Sequence, residues 1–361
     1  MKLLERYVAR LTAGLFVTLA LGVVTLFLVI DFGDWLRIYT GKPVADVAAL
    51  YWYRSHVAMV QFAPAALVLA AGLAVTVVRR RGEWTALRAL GASPATVVRP
   101  ILLVAVVAAL GLVAFQEFVV SRSGPKIDRL MMERFDRWGD FLTVYSPRRW
   151  FKVGDCLLNV RGEANPERLE DVRLFTMGAS SELVRWTEGS RLTFVREGRW
   201  QIDDATELDF SGADAQAGRK GSFELDLPLR PEVTQLAVGR PEWLPLTVLY
   251  RQVTLMTALQ LPTEPTRFAI HFRWAGPLSA VLAALIACLL GLRGQNRASV
   301  PRALLEGAGL YGGLFVVGMI SRSLAINGRL EPALAAWLAP VLLLPVVLWL
   351  AQRSRTGFAG R

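Results

Sequence analysis

Six apolar runs, each about 20 residues long and so able to cross a hydrocarbon layer of about 30 Å, set the limits on this chain. They extend from Leu11 to Ile30, Val57 to Val78, Val97 to Val120, Phe268 to Leu292, Ala303 to Leu324 and Ala333 to Ala351. In hydrocarbon every backbone N–H and C=O must find its partner inside its own segment, so each run is predicted to be a transmembrane helix. With 53% of 361 residues hydrophobic, a purely soluble protein is excluded, yet the length leaves room for one folded extramembrane domain. The first run follows Lys2, Arg6 and Arg10 as a signal peptide would. Its apolar core is too long and no A-x-A cleavage site follows, so it reads as an uncleaved span.

The formal net charge of +11 does not imply nucleic acid, because Lys and Arg collect in cytoplasmic loops of membrane proteins. Arg79, Arg80, Arg81 and Arg88 follow the second span, Arg293, Arg297 and Arg302 follow the fourth, and Arg353, Arg355 and Arg361 lie in the tail. In a six-span chain these segments share one side with the N-terminus. The positive-inside rule makes that side the cytoplasm and places 121–267 outside.

The outer stretch opens as a helical extension over 121–147, where "KIDRLMMERFDRW" keeps Ile127, Leu130, Met131, Phe135 and Trp138 near helical period. From Arg149 the period becomes two. "WFKVGDCLLNVRG", "LEDVRLFTMG", "SRLTFVREGRWQIDDATELDF" and "GSFELDLPLR" are β-rich runs ended by Gly, Asp or Pro, and "REGRW" reads as a hairpin turn. This predicts an all-β sandwich or jellyroll over 148–240. Leu192 and Phe194 would share one face and Thr193 and Val195 the other, with the inner face undecided. An elbow helix over 241–266 returns to helical spacing through Leu246, Leu249, Tyr250, Val253 and Met256. Cys156 and Cys288 fall in different regions and are not expected to pair, no metal-ligand spacing occurs, and His56 and His271 read as interfacial structural residues, with a proton relay as the alternative.

Between the second and third spans lies "RRRGEWTALRALGASP". A short helix over about 82–91 is predicted: Gly91 can take the left-handed C-cap, and Ser93-Pro94 supplies an N-cap with Pro at N1 for the next span. Glu83, Leu87 and Leu90 fall on one face, overlapped by Trp84, Leu87 and Gly91. The residues alone allow two readings: a ridge that docks in a groove of another protein, or a connector whose Glu83 complements the helix dipole.

"EWTALRALGAS" resembles the coupling-helix motif of ABC-type permeases whose ATPase is a separate chain. The order of spans and insert is similar to that of the lipopolysaccharide export permease family, LptF and LptG: six spans, the motif between spans two and three, and a periplasmic β-jellyroll between spans three and four. "DFGDWL", "RRWFKVGDCLLNV", "REGRWQIDDA" and "RFAIHFRWAGPLSAVLAALIACLLG" resemble family segments in the family's order, so the likeness covers essentially the whole chain. The "DFGDWLR" segment leans toward LptG.

The resemblance implies a polytopic α-helical membrane protein of the inner membrane of a Gram-negative bacterium, with cytoplasmic termini and an inserted all-β periplasmic jellyroll. Its transmembrane parts would occupy 1–120 and 267–361. It implies a permease subunit, not an enzyme, that pairs with a sister six-span subunit on a cytoplasmic ABC ATPase dimer and passes lipopolysaccharide to a periplasmic bridge protein with a jellyroll fold. The chain carries no G-x-x-x-x-G-K-[ST], so ATP and Mg would belong to the ATPase, and no cofactor is expected on this chain. Glu83, Trp84, Leu87, Arg88, Leu90 and Gly91 are the coupling candidates. Lipid A is phosphorylated and many-chained, so its cavity needs a cationic rim at the outer face. Arg37, Lys42, Arg54, Arg273 and Arg322 lie near outer span ends against the positive-inside trend, with snorkelling cations as the bland alternative. Arg37 is the one at which the resemblance places headgroup-binding basic residues. Gly309 and Gly313 form a G-x-x-x-G pair in span five, offset by Ala308 and Gly312. These small residues serve either internal packing or the lateral gate that the family builds from spans one and five. Glu306, at the inner end of the same span, reads as interfacial or paired.

Two other functions predict different sequences. A macrolide-exporter or cell-division type permease places its large domain between the first two spans, against the order here. A lipid-modifying enzyme needs a convergent acid, base or metal set, and only Glu117, His56 and His271 offer themselves, scattered.

Overall fold

The computed structural model describes residues 3–135, 148–161, 167–178, 182–196, 198–210, 216–231, 240–258, 261–293 and 299–359. The chain divides into two compact units, one comprising Met1–Ile127, Pro241–Tyr250 and Pro262–Arg361, the other Asp128–Arg240 and Arg251–Leu261.

The first unit contains the apolar runs, and six helices among the described residues are long and apolar enough to cross a membrane. These are α1 (Leu3–Tyr39), α2 (Val44–Arg80), α4 (Ala95–Phe115), which continues through a π-helical turn at Gln116–Val120 into α5 (Ser121–Phe135), then α7 (Glu264–Arg293), α8 (Val300–Ile326) and α9 (Pro332–Ala359). At about 1.5 Å per residue, the 37 residues of α1 exceed the thickness of the hydrocarbon. Its tight turn into α2 is made at Gly41, whose φ is 80°, and Pro43, which precedes the first turn of α2.

Helices α2 and α7 form the centre, and their composition explains why. Ala63, Ala66, Ala70, Ala71 and Ala74 of α2, and Ala275, Ala280, Ala283 and Ala284 of α7, are buried. A Cβ on Gly72 would lie 3.7 Å from Ala287 Cβ. Small side chains let helix backbones approach closely where lipid supplies no hydrophobic drive. Arg79 Nη1 then donates to the Gly291 carbonyl at 2.7 Å, tying the two helix ends together. The apolar stretches of α1 and α8, by contrast, have few fully buried residues within this chain.

The second unit holds six antiparallel strands in the order β1 to β6: Arg148–Val153, Cys156–Arg161, Arg168–Met177, Leu183–Arg196, Arg199–Asp209 and Gln216–Asp226. The predicted "REGRW" hairpin closes at Arg196 opposite Arg199, with Gly198 at φ 74°. Leu158, Val160, Leu169, Val172, Leu174, Leu192, Trp200 and Ile202 form the buried core, joined by Leu227 and Leu229 from the segment after β6. Trp200 Nε1 donates to the Leu229 carbonyl at 2.9 Å, which satisfies the one polar group the ring buries.

The inward positions change parity at one level of the sheet. They run from Leu169 to Val172 in β3, Leu192 to Gly189 in β4, and Ile202 to Ala205 in β5. Asp171 and Asp204 sit there at φ 51° and 53°, a left-handed conformation that Asp tolerates better than most residues. A Cβ on Gly189 would lie 2.5 Å from Ile202 Cγ1, so only glycine lets β4 close on β5 at that point.

The described strands run in sequence order as one antiparallel sheet, so the all-β character of this insert is observed. The helical extension is observed to Phe135, and its residues 136–147, with Trp138, lie outside the described residues. The elbow resolves into a 3-10 turn at Pro241–Trp243 and the helix α6 (Leu246–Ala258).

Candidate functional site

The short helix between α2 and α4 is α3 (Glu83–Ala89). Gly82 (φ 72°) and Gly91 (φ 74°) bracket it. At its end the Ala92 N–H donates to the Leu87 carbonyl at 2.9 Å and the Gly91 N–H to the Arg88 carbonyl at 3.0 Å. This is the Schellman pattern, and it requires the left-handed residue that Gly91 supplies. Before Ala95, Pro94 already has helical dihedrals (φ −54°, ψ −28°), and the Thr96 N–H donates to the Ser93 carbonyl at 3.1 Å, so Pro94 stands at the first helical position after Ser93.

The predicted docking ridge divides. Trp84 is 5% exposed and belongs to the same buried cluster as Val8, Val78 and Val97, with Leu4, Tyr7 and Leu87 packed against it. An aromatic ring beside the first span gains more by burial in its own chain than by waiting for a partner. The open surface of α3 is instead Thr85, Ala86, Arg88, Ala89 and Leu90, and Leu90 is 84% exposed. Glu83 turns toward α1: Tyr7 Oη donates to Glu83 Oε1 at 3.1 Å, and Arg81 Nη1 lies 3.9 Å from the same oxygen.

At the opposite end of the helices the expected cationic rim also divides. Arg273 is 3% exposed. Its Nη1 lies 3.4 Å from Glu117 Oε2, and its Nη2 donates to the carbonyls of Leu244 (2.8 Å) and Glu242 (3.4 Å). Glu117 in turn accepts from the Leu246 N–H at 2.9 and 3.1 Å, and Gln116 Nε2 donates to the Glu242 carbonyl at 3.1 Å. Arg273 is therefore an internal tie that holds the Pro241–Leu246 backbone to the end of α4, and not a rim cation. A desolvated guanidinium needs this many acceptors. The sequence offers one signal for it, Glu117 in an otherwise apolar run. The π turn at Gln116–Val120 carries this carboxylate, and the hydroxyls of Ser121 and Ser123 cover the Glu117 and Val119 carbonyls.

Arg54 is likewise engaged. It pairs with Asp31, which also accepts from Tyr51 Oη at 2.8 Å, and its guanidinium lies 5.3 Å from the Trp35 ring centroid. Arg322 pairs with Glu242, and Lys42 is half-buried. Arg37, one residue before Ile38 on the last turn of α1, is exposed and makes no ion pair among the described residues.

The small residues of span five all lie on α8. Gly309, Gly312 and Gly313 are exposed with open space where a Cβ would stand, whereas Gly307 meets Leu69. Internal packing therefore accounts for Gly307 and leaves the other three unused by this chain. Glu306 pairs with Arg302 at 2.6 Å, in keeping with a paired role. His56 Nδ1 lies 2.9 Å from Ser123 Oγ, a structural contact of the kind expected for it. Among the described residues no group of three or more His, Cys, Asp or Glu could hold a metal ion.

Residues 6–353 match the profile of a protein family described as the lipopolysaccharide export system permease LptF/LptG. A comparison with curated proteins found no match.

Proposed function

The chain belongs to the LptF/LptG family of lipopolysaccharide export permeases, and from that premise we propose that it is the transmembrane half of an ABC-type exporter driven by a separate ATPase. In this reading a cytoplasmic ATPase dimer seats on α3, a sister six-span subunit completes the transmembrane part, and lipopolysaccharide leaves the outer leaflet of the inner membrane for a periplasmic bridge protein. The β unit lies in the periplasm on its path. ATP and Mg act on the ATPase.

The observation that carries the proposal is α3 itself. A seven-residue helix has too few internal hydrogen bonds to persist alone. Here Trp84 anchors it from within, Gly91 ends it, and Leu90 is left at 84% exposure with Arg88 beside it. A rigid mount with an apolar knob in water is what a helix-in-groove contact uses. On the other side of the membrane Arg37 supplies the headgroup contact: its guanidinium can make two charge-assisted hydrogen bonds to a lipid A phosphate. The open glycine face of α8 supplies the gate surface for the sister subunit.

Affinity purification after gentle detergent extraction, followed by mass spectrometry, tests the assembly. An ABC ATPase and a second six-span chain should co-purify in stoichiometric amounts, and purification of the chain with neither would refute it.

A further inference from the structure

The geometry points to Tyr7 as the positioning residue that fastens α3 to α1, so that a displacement of the coupling helix is passed directly to the first span. This rests on the function proposed above for its consequence in transport, but the fastening itself does not.

Tyr7 lies in the second turn of α1, far in sequence from α3. Its hydroxyl is shared: it donates to Glu83 Oε1 at 3.1 Å and accepts from Arg81 Nη1 at 2.8 Å. The two residues it bridges flank the start of α3, so one phenol hydroxyl holds the helix by its N-terminal end. The ring packs against the cluster that includes Trp84 and Val8, so the hydroxyl is held in place by its own side chain's burial.

Glu83 has few other options. Its Oε2 is buried without a hydrogen-bond partner among the described residues, and Arg81 approaches no closer than 3.9 Å. A carboxylate closed off on one oxygen depends on whatever donor reaches the other, because leaving it unpaired costs its full desolvation. The Tyr7 hydroxyl is that donor. Helix α1 also buries much less of its apolar stretch within its own chain than α2 and α7 do. Its α3 end is packed into the cluster that holds Trp84, with Val8 fully buried there, so α3 and that end of α1 are joined by packing as well as by the hydroxyl.

Tyr7→Phe removes the hydroxyl and keeps the ring, so the packing that builds the unit is retained. Deuterium uptake over residues 83–92 should rise on the order of tenfold in rate, the size expected for losing one hydrogen bond to a charged group, with uptake in α2 and α7 unchanged. Glu83→Ala should give the same rise, and the double variant should add nothing further, because both substitutions break one contact. In the reconstituted complex with its ATPase, Tyr7→Phe should keep ATP hydrolysis while several times more ATP is spent per lipopolysaccharide released. Unchanged uptake in Tyr7→Phe, or additive effects in the double variant, would overturn the fastening. Increased uptake with an unchanged ATP-to-lipid ratio would overturn the transmission. Absence of release by the wild-type complex would instead count against the exporter function, while the exchange measurements still decide the fastening.

Discussion

Arg37 and Arg273 carry the same guanidinium in opposite surroundings. Arg273 is buried against Glu117 and two carbonyls. Breaking a buried pair by removing one partner costs about 3–5 kcal/mol. Arg273→Met should therefore lower the thermal midpoint of the detergent-solubilised protein sharply, whereas Arg37→Met should leave it near wild type, and differential scanning fluorimetry reads both. Arg37→Glu should instead leave assembly intact and strongly reduce lipopolysaccharide release. The sequence placed both residues near one membrane face but could not separate them. Position along a span gives depth, while the side a residue faces depends on the helix's apolar pattern, and these spans are apolar all round. What the sequence did carry was the anomaly of arginines against the positive-inside trend. The tie that resolves it for Arg273 runs to the carbonyls of Glu242 and Leu244, groups that every residue has and no sequence pattern marks.

At the level of elements, α3 and the β meander show where legibility stops. The glycine that ends α3 was readable because a left-handed cap has a residue signature. The inward turn of Trp84 was not, because a two-turn helix offers too little period to tell core from ridge, and the decision was made by Tyr7 and Val8 of a distant segment. In β4 the alternation of Leu192, Thr193, Phe194 and Val195 was plain, and the structure now assigns Leu192 and Phe194 to the core side, with Val195 exposed. A photo-crosslinker placed in turn at 192–195 should capture lipopolysaccharide at 192 and 194 in an ATP-dependent way and not at 193 or 195. Uniform capture would contradict a conducting inner face. Strand spacing counts strands but does not order them. The meander and the parity change at Asp171, Gly189 and Asp204 depend on backbone conformations that alternation hides. Gly189→Ala would drive a Cβ into Ile202, an overpacking that costs about 1–3 kcal/mol. Hydrogen exchange of β4 and β5 amides should accelerate accordingly.

In the membrane-spanning unit, α2 and α7 are the most buried helices, while α1 and α8 bury few residues and the small-residue face at Gly309, Gly312 and Gly313 is open. The six spans were legible because length and hydropathy suffice to define them. Which spans lie inside was not, since that depends on alanine-rich faces meeting across sequence-distant helices. Replacing Gly309 and Gly313 together by leucine touches nothing in this chain. It should leave the isolated subunit as stable as wild type while impairing its joining to the sister subunit or the release of lipid. The central claim, that ATP hydrolysis by a partner seated on α3 moves lipopolysaccharide through this subunit, is tested most directly by ATP-dependent transfer from proteoliposomes to an acceptor, comparing wild type with Leu90→Glu. The substitution places a charge on the most exposed knob of α3 and leaves Trp84 untouched. The account predicts that wild-type transfer requires ATP and the ATPase, and that Leu90→Glu folds normally but loses at least tenfold in transfer, as expected for an interface anchor worth about 2 kcal/mol or more. Wild-type transfer by Leu90→Glu with the ATPase still bound would contradict it.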